Sequence, residues 1–461
     1  MDRFTRIPVR EQDPNQRNKN FEEVCYGYNH EEAVAEAKRC LNCKKPMCRT
    51  GCPVSVDIPA FIHHIANDDP EGAAKELSKH TALPAVCGRV CPQESQCEKY
   101  CVLNNKGDSV SIGKLERYAA DYARDNNIQT MEVEAPNSHK VAVVGAGPAG
   151  ITVAGELVKK GYDVTVFESL QQAGGVLVYG IPEFRLPDEV VASEVEKLKE
   201  LGVKFETNTI VGRTMSLDGI RGEGYEAIFL GTGAGLPRFM NIPGENYNGV
   251  FSANEFLTRT NLMHAYEAGY DTPIIAGRRT AVIGGGNVAM DAARVAKRLG
   301  AHVTVVYRRT ETELPARAEE VHHAKEEGIE FHFLTNPIEI HADEEGWVKS
   351  MLLQQMELGE PDESGRRRPV PIEGKTYEVE VDTVIMALGT NPNPLITSTN
   401  PDIETNRKQG IVITEDGQSS VEDVFAGGDA VTGAATVILA MGAGKKAAEG
   451  IDQYIKEKYG N

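Results

Sequence analysis

The sequence predicts an α/β protein whose N-terminal region is helical and rich in cysteine. Two observations carry this prediction: all nine cysteines lie between Cys25 and Cys101, and strand-like runs alternate with helical runs from residue 140 onward. Such alternation is typical of parallel sheets covered by helices. The chain has 461 residues, and this length is enough for about three domains.

The composition argues against several classes of protein. The formal net charge is −19, and nucleic acids and anionic membranes are bound by clustered Lys and Arg instead. No apolar run approaches the roughly 20 residues of a membrane-spanning helix. The N-terminus also lacks an apolar signal core. We therefore expect a cytoplasmic protein without nucleic-acid or membrane partners.

A complete dinucleotide-binding pattern begins at residue 140. The strand Lys140–Val144 runs into the turn GAGPAG, a helix over Ile151–Lys160 and a second strand, Asp163–Phe167, which ends at Glu168. Glycines let the backbone approach a pyrophosphate, and the helix N-terminus attracts that anion. Glu168 stands where an acid bonds the adenosine ribose. The turn residues predicted to bind are Gly145, Gly147, Pro148, Ala149 and Gly150.

Two further segments indicate that this first dinucleotide is FAD. A Gly-Gly-Val sequence follows Glu168 closely, where such chains fold over the flavin, and VFAGGDA near the C-terminus is a strand that ends in Gly-Gly-Asp. Asp429 can bond the ribityl chain there, or cap a helix. The next helix, from about Thr436, can point its N-terminus at the reduced ring. The predicted contacts are Gly174, Gly175, Val176, Gly428, Asp429 and Thr436.

A second glycine turn predicts a site for NADPH. Arg279–Ile283 leads into GGGNVA, a helix through Leu299 and the strand His302–Tyr307, which is followed by two arginines and no acid. An acid would repel the 2′-phosphate of NADPH, whereas a guanidinium pair can bind it. A surface arginine pair is the alternative. The predicted contacts are Gly284, Gly285, Gly286, Asn287, Val288, Arg308 and Arg309, with Arg317 closing over the same phosphate.

The segment MALGTN resembles the strand end at which such chains re-enter the flavin domain, and its Ala387, Leu388 and Gly389 are predicted to line the NADPH site. The NADPH domain, 236–388, would thus be inserted between two parts of the FAD domain, 140–235 and 389–461. Neither dinucleotide-binding domain contains a cysteine, and this excludes a disulfide substrate. The charged stretch Glu357–Arg368 is interpreted as a solvated hairpin loop without a function.

The cysteines form two runs, CLNCKKPMCRTGCP and VCGRVCPQESQCEKYC, in a region predicted to form a separate domain, 1–130. Thiolates in short turns with a following proline are typical of ferredoxin-type iron–sulfur ligation. A neighbouring flavin favours iron, because a hydride-to-single-electron relay needs one-electron carriers. Structural zinc is the alternative, since four thiolates suit zinc equally well. Cys25 stands alone and is interpreted as a core residue.

Together these motifs resemble the small-subunit family of NADPH-dependent glutamate synthase over essentially the whole chain. The segments that carry the resemblance are the two cysteine runs, VVGAGPAGITVA, IPEFRLP, IGGGNVAMDAAR, VYRRTETELPAR and FAGGDA. Relatives of that family include the large subunit of NADH-dependent reduced ferredoxin:NADP⁺ oxidoreductase and the N-terminal half of dihydropyrimidine dehydrogenase. The fold implied is the two-dinucleotide-binding, disulfide-oxidoreductase-like architecture preceded by a helical iron–sulfur domain.

The resemblance also implies a ligand set for two interlocked [4Fe–4S] clusters. Glu116 would supply the fourth ligand of one cluster, and Cys87 would not be a ligand although its spacing alone would select it. Arg185, in IPEFRLP, would contact FAD. The implied ligands are Cys40, Cys43, Cys48 and Cys101 for one cluster, and Cys52, Cys91, Cys97 and Glu116 for the other.

The implied activity is the transfer of electrons from NADPH through FAD and the clusters to a large glutamate synthase subunit. The alternative is the large subunit of the bifurcating transhydrogenase, whose partners are a small flavin and iron–sulfur subunit and ferredoxin. A non-catalytic zinc scaffold is a third hypothesis, disfavoured by the intact glycine turns. No acid–base catalyst is predicted, because hydride transfer depends mainly on stacking geometry. The resemblance further implies that copies of the chain can form a homo-oligomer.

Overall fold

The structure is a computed structural model that describes residues 2–361 and 365–460. Its N-terminal region is a group of short helices with one small antiparallel pair, β1 with β2. The elements are β1 (Arg10–Glu11), α1 (Pro14–Arg17), β2 (Cys25–Gly27), α2 (His30–Ala37), α3 (Met47–Thr50), α4 (Ile58–Ala66), α5 (Pro70–Ser78), α6 (Pro84–Val90) and α7 (Ile112–Asp125).

Helix α7 explains how a carboxyl group comes to lie in the interior of this region. Ile112, Leu115, Ala119 and Ala123 are buried and recur at intervals of three or four residues, so they form one apolar face. Glu116 lies on the same face and is also buried. The helix therefore directs Glu116 into the core that holds the second run of cysteines.

The first dinucleotide-binding region follows a polar linker. Its strands are short, rich in Val, Ile and Phe, and mostly buried, as expected for a sheet covered on both faces. Its elements are β3 (Lys140–Val144), α8 (Pro148–Lys159), β4 (Asp163–Phe167), α9 (Val176–Tyr179), α10 (Asp188–Glu200), β5 (Lys204–Glu206), α11 (Leu217–Gly222) and β6 (Ala227–Leu230).

A second parallel sheet is built next, with strand order β11-β10-β9-β15-β8, and a three-stranded antiparallel sheet, β12-β13-β14, is attached to it. The elements are β7 (Leu236–Pro237), β8 (Val250–Ser252), α12 (Ala253–Thr260), β9 (Arg279–Ile283), α13 (Asn287–Arg298), β10 (His302–Tyr307), α14 (Ala318–Glu326), β11 (Glu330–Phe333), β12 (Thr335–Ala342), β13 (Val348–Pro361), β14 (Arg367–Glu380), β15 (Thr383–Met386) and β16 (Thr390–Asn391).

The chain then returns to the first sheet, whose final order is β17-β6-β3-β4-β5 with all strands parallel. The last elements are α15 (Leu395–Thr399), β17 (Val424–Ala426), α16 (Asp429–Thr432) and α17 (Val437–Tyr459). The two crossings run side by side, because β7 pairs with β16. This topology confirms the predicted fold class, one dinucleotide-binding domain inserted into another. The predicted limit 236 lies in β7, and 388 lies shortly before β16.

Two further expectations from the sequence can be compared with the structure. Among the helices of the described ranges, none combines the length and hydrophobicity needed to cross a bilayer. The interpretation of Glu357–Arg368 as a solvated hairpin loop is correct in part. Its described residues belong to an antiparallel hairpin and most are exposed. The loop assignment was wrong, because β13 continues to Pro361 and β14 begins at Arg367. Residues 362–364 of that stretch lie outside the described residues.

Candidate functional site

The first glycine turn leaves an open space at the N-terminus of α8. A Cβ atom at Gly145 would lie 2.5 Å from the Gly231 carbonyl oxygen, and one at Gly150 would lie 1.9 Å from the Gly145 carbonyl oxygen. These two positions therefore need glycine for the packing of the turn itself. A Cβ atom at Gly147 would meet no protein atom within 4 Å. The open side of Gly147 is the space that the pyrophosphate of a dinucleotide would occupy.

Glu168 lies at the edge of this space. Its carboxylate accepts hydrogen bonds from the backbone N–H groups of Ala146 (2.7 Å) and Leu170 (2.8 Å). The side chain is buried beside the glycine turn, at the end of β4. The structure therefore places this acid next to the predicted dinucleotide site.

The other predicted FAD segments converge on the same turn. The Gly174 N–H donates to the Ala146 carbonyl (2.9 Å), and Val176 begins α9. A Cβ atom at Gly175 would lie 2.9 Å from the Gly147 Cα, and one at Gly428 would lie 3.0 Å from the Ala149 Cβ. Thus chain segments more than 250 positions apart in the sequence lie together around this glycine turn.

Asp429 is the first residue of α16, and Thr436 is the N-cap of α17. The Thr436 hydroxyl accepts a hydrogen bond from the Leu439 N–H (3.4 Å), and the Asp429 carboxylate accepts one from the Ala435 N–H (3.2 Å). Burial raises the pKa of Asp429 to about 6. The alternative interpretation of Asp429 as a helix N-cap is not met, because Gly428 caps α16 and the partner of Asp429 lies in the loop that precedes α17.

The shifted pKa of Asp429 predicts a pH-dependent effect on stability. Because its folded-state pKa (about 6) lies above its ordinary value of 3.8, the charged carboxylate destabilises the FAD-free fold, increasingly as pH rises from about 4 to about 6. We expect Asp429→Asn to raise the melting temperature of the FAD-free protein at pH 8. At pH 4, where Asp429 is neutral in the folded protein and only partly ionised in the unfolded chain, the gain should be much smaller. Equal gains at both pH values in a thermal melt would contradict this account.

The second glycine turn repeats the design of the first. A Cβ atom at Gly284 would lie 2.3 Å from the Ala387 carbonyl oxygen, whereas one at Gly286 would meet nothing within 4 Å. Gly286 precedes α13, so its open side again faces a helix N-terminus. Asn287 accepts a hydrogen bond from the Arg317 N–H (2.9 Å). Among the other predicted contacts, Gly285 lies against the Tyr307 ring, and Val288 is exposed. Leu388 and Gly389 directly follow Ala387 in the chain.

Four arginines gather where the adenosine 2′-phosphate of NADPH would lie, at the end of β10. Arg308 is exposed, and Arg309 donates through Nε to the Arg367 carbonyl (2.8 Å). Arg366 donates to the Tyr307 hydroxyl (3.0 Å) and the Glu313 carbonyl (3.0 Å). Burial and the nearby cations Arg309, Arg366 and Arg238 lower the pKa of Arg308. Sequence reasoning missed Arg366 and Arg238, although the run Arg366–Arg368 stands out in so acidic a chain.

Two predicted contacts have other partners in the structure. The Arg317 guanidinium is buried and donates to the Arg89 carbonyl (2.8 Å) and the Gln93 amide oxygen (3.2 Å), both in the cysteine-rich region. The Arg185 guanidinium pairs with Asp291 of α13 (2.7 Å) and Glu320 of α14 (2.9 Å). The expectations that Arg317 closes over the 2′-phosphate and that Arg185 contacts FAD are therefore corrected: both side chains tie domains together.

Four of the cysteines form a first group near the protein surface. Burial and the neighbouring thiols Cys40, Cys101 and Cys43 raise the pKa of Cys48 to about 12. These thiols come from both cysteine runs, so the two runs interlock. All four residues are partly exposed. The grouping matches the set implied for one cluster.

The remaining implied ligands form a second, deeper group. Burial, Glu116 and Cys91 raise the pKa of Cys52 to about 11, and burial with Glu98, Glu116, Cys91 and Cys52 raises the pKa of Cys97 well above its usual value. Burial also raises the pKa of Glu116 to about 8. Thiolates and a carboxylate so desolvated need a cation to stay ionised, and iron would supply that charge. The ligand assignment stays a prediction.

One compact group of possible metal ligands occurs in the described residues, and it lies outside the two cysteine runs. It consists of Glu11, Glu319 and His323, whose ligand atoms all lie within 4.8 Å of one another. The choice between iron–sulfur clusters and zinc at the cysteines rests on the arguments from the sequence.

Comparison with known proteins agrees with this division of the chain. Residues 17–128 match the family described as dihydropyrimidine dehydrogenase domain II, 4Fe-4S cluster, and residues 139–444 match the family described as pyridine nucleotide-disulphide oxidoreductase. The glutamate synthase [NADPH] small chain of Escherichia coli (strain K12) is 38% identical, over 95% of this chain and 95% of its own. That of Azospirillum brasilense is 36% identical, over 96% and 93%.

Solved structures share the fold at lower identity. FprA of Mycobacterium tuberculosis in complex with NADPH has a TM-score of 0.58 at 20% identity, covering 70% of this chain and 86% of its own. Thioredoxin reductase of Lactococcus lactis has a TM-score of 0.52 at 22% identity, covering 69% and 100%. With the glycine turns and cysteine groups in place, the chain belongs to the pyridine nucleotide-disulphide oxidoreductases, in the family of the glutamate synthase [NADPH] small chains.

Proposed function

We propose that this chain is the NADPH-oxidising, electron-input subunit of a glutamate synthase-like enzyme. When bound, FAD accepts the hydride of NADPH, and two [4Fe–4S] clusters carry single electrons onward to a partner subunit. The family resemblance and the two relatives named as small chains support this function. The protein is thus an NADPH-dependent flavin and iron–sulfur oxidoreductase that needs a second subunit to make glutamate.

The observation that carries the proposal is the contact between α17 and the residues next to the second cysteine group. The Cys87 Sγ, one helical turn before Cys91, lies 3.6 Å from the Met441 Sδ. A Cβ atom at Gly442 would lie 3.1 Å from the carbonyl oxygen of Pro53, the residue after Cys52. Met441 and Gly442 belong to the first two turns of α17, whose N-terminus adjoins the predicted flavin site. These contacts support a direct path from the flavin to the deeper cysteine group.

Each set of side chains has a separate task in this proposal. The glycine turn at Gly147 and the carboxylate of Glu168 position FAD, and the turn at Gly286 with the arginines after β10 selects NADPH over NADH. The proposed hydride transfer requires no acid–base pair, because its rate depends on how closely the two rings are stacked.

Anaerobic purification of the tagged chain from its native cell tests the proposed partner. We expect a large, glutamine-hydrolysing, FMN-containing chain to co-purify in equal amounts. A small flavin and iron–sulfur subunit that reacts with NADH would contradict the glutamate synthase assignment. That result would identify the chain as the large subunit of the bifurcating transhydrogenase.

The proposed ligand set predicts different iron contents for two variants. Cys87→Ala should retain about eight iron atoms per chain, because Cys87 would not be a ligand despite its spacing. Glu116→Ala should lower the iron content or alter the electron paramagnetic resonance spectrum of one cluster. Iron and acid-labile sulfide assays on anaerobically purified protein provide the measurement, with Cys91→Ala as the positive control. Full iron in Glu116→Ala together with iron loss in Cys87→Ala would refute the assignment.

A further inference from the structure

A two-residue segment of the FAD domain is inserted into the core of the NADPH domain. The Phe184 side chain is 1% exposed and belongs to the same buried apolar cluster as Met290 of α13. The guanidinium groups of Arg298 and Arg294 lie over its ring, 3.8 and 4.7 Å from the ring centroid. The next residue, Arg185, enters the same interface. We name Phe184 and Arg185 the wedge.

Arg185 extends this contact with buried ion pairs. One terminal nitrogen donates to both carboxylate oxygens of Asp291 in α13 (2.7 Å each), and Nε pairs with Glu320 in α14 (2.9 Å). The three side chains are only 3–6% exposed. Ion pairs buried this deeply depend strongly on geometry, and removing one partner leaves a charge without compensation. Arg185 therefore fixes the positions of α13 and α14 relative to the FAD domain.

Both helices that the wedge contacts belong to the predicted coenzyme site. Helix α13 begins at Asn287, directly after the open glycine turn at Gly286, and Asp291 lies about one helical turn further on. Helix α14 follows Arg317, whose backbone N–H donates to the Asn287 side chain (2.9 Å). The wedge therefore connects the FAD domain to the helices on which the NADPH site is built.

The covalent connections between the two domains are short. β7 and β16 each contain two residues, and where they cross, the Arg238 N–H donates to the Gly389 carbonyl (3.1 Å). Domains joined in this way move relative to each other unless a large, apolar interface prevents it. The wedge supplies a buried contact of this kind. The Val24 N–H of the cysteine-rich region also donates to the Phe184 carbonyl (2.9 Å), which ties the wedge to a third domain.

We propose that the wedge holds the NADPH domain in the orientation that hydride transfer requires, and that Arg185 is a positioning residue for this step; the inference rests on the proposed function. The nicotinamide and flavin rings must stack closely, and a misplacement of about 1 Å lowers such a rate about a hundredfold. The Arg185 guanidinium acts through Asp291 and Glu320 and not on the rings. Its substitution should therefore slow the hydride step and leave the affinity for both dinucleotides unchanged.

Arg185→Met tests this inference, with Arg221→Met as the matched control. Arg221 also donates two hydrogen bonds to one aspartate, Asp423 (2.6 and 2.9 Å), but both residues belong to the FAD domain. In stopped-flow mixing with saturating NADPH, flavin reduction in the anaerobic Arg185→Met holoprotein should be about tenfold to a hundredfold slower than in the wild type. The long-wavelength charge-transfer absorbance of stacked NADPH and FAD should be lost. The Kd values for NADP⁺ and FAD should stay within about twofold, and the control should match the wild type throughout.

Hydrogen exchange provides a second measurement that does not depend on catalysis. Peptides that span the two crossings, 236–240 and 389–392, should exchange their amide hydrogens about tenfold faster in Arg185→Met than in the wild type or the control. The reason is that loosened domains open the hydrogen bonds at the crossings. The faster exchange should be present with and without NADP⁺ in the solution.

A second variant keeps the inference testable if Arg185→Met folds poorly. In Arg185→Met, Glu320 retains its ion pair with Arg294. Burial raises the pKa of Asp291 to about 6, so this carboxyl group can take up a proton. Phe184→Leu keeps an apolar side chain but removes the ring beneath the two arginines, and it should slow flavin reduction about threefold or more with unchanged Kd values.

The outcomes separate this inference from the proposed function. An unchanged reduction rate and charge-transfer band in both wedge variants would overturn it. Equal losses in Arg185→Met and Arg221→Met would also overturn it, because they would indicate general destabilisation. So would a raised Kd for NADP⁺ with an unchanged rate at saturation, since Arg185 would then act on binding. If NADPH does not reduce the wild-type flavin, the proposed function fails, whereas the hydrogen-exchange comparison still tests the contact between the domains.

Discussion

Replacing Arg308 and Arg309 together by alanine should raise the KM for NADPH by a factor of about a hundred or more and leave the KM for NADH within about threefold. A charge-assisted hydrogen bond to a phosphate contributes about 1.5–3 kcal/mol, so losing two costs about 3–6 kcal/mol. NADH lacks the 2′-phosphate and cannot lose these bonds. Steady-state reduction of an artificial acceptor with each coenzyme measures both values. Equal effects on the two coenzymes would show that the pair does not recognise the phosphate.

A substitution in the hairpin formed by β13 and β14 tests the same phosphate site. Arg366 is held beside Tyr307 by its hydrogen bond to the hydroxyl group, so Arg366→Ala should raise the KM for NADPH about tenfold. Arg368→Ala is the matched control, because this exposed arginine lies two positions along the same hairpin. It should leave both coenzymes unaffected. A similar loss in both variants would indicate a general effect of charge.

Gly147→Ala should weaken FAD binding while the FAD-free protein remains folded. The backbone at Gly147 has φ −79°, which alanine adopts without strain. The added methyl group would meet no protein atom within 4 Å and would enter only the space for the pyrophosphate. Overpacking by one methyl group costs about 1–3 kcal/mol, so the Kd for FAD should rise about tenfold to a hundredfold. Fluorescence titration of the FAD-free protein gives the Kd.

Gly150→Ala is the control for Gly147→Ala, and the melting temperatures of the two FAD-free variants are compared. Its methyl group would lie 1.9 Å from the Gly145 carbonyl oxygen, so the turn itself must move and the melting temperature of the FAD-free protein should fall. If Gly147→Ala lowers the melting temperature as much as Gly150→Ala does, the open side of Gly147 is not a ligand space. Unchanged FAD affinity in Gly147→Ala would lead to the same conclusion.

Local patterns in the sequence predict the parts of the site that depend on a few neighbouring residues. Both glycine turns, the acid after β4 and the arginines after β10 lie at strand ends that alternation and glycine spacing already indicate. The inserted domain follows from the two turns and from MALGTN. Glu116 required the family resemblance, because nothing local distinguishes a buried carboxylate ligand from a surface glutamate.

The errors concern side chains whose partners lie far along the chain. Arg317 and Arg185 follow or precede predicted binding motifs, yet their guanidinium groups pair with residues of other domains. Arg366 reaches the coenzyme site only because β13 and β14 fold back onto β10. Sequence spacing contains no information on such domain contacts. The long flexible arginine side chain makes them especially hard to predict.

The central claim is that NADPH delivers hydride to FAD held at the Gly147 turn. It is tested most directly by mixing the anaerobic, FAD-loaded protein with NADPH in a stopped-flow spectrophotometer and following the loss of oxidised-flavin absorbance. The account predicts rapid bleaching that saturates with NADPH, is slowed when the transferred hydrogen of NADPH is deuterium, and is much weaker with NADH. A flavin that stays oxidised, or one that NADH bleaches equally well, would contradict it.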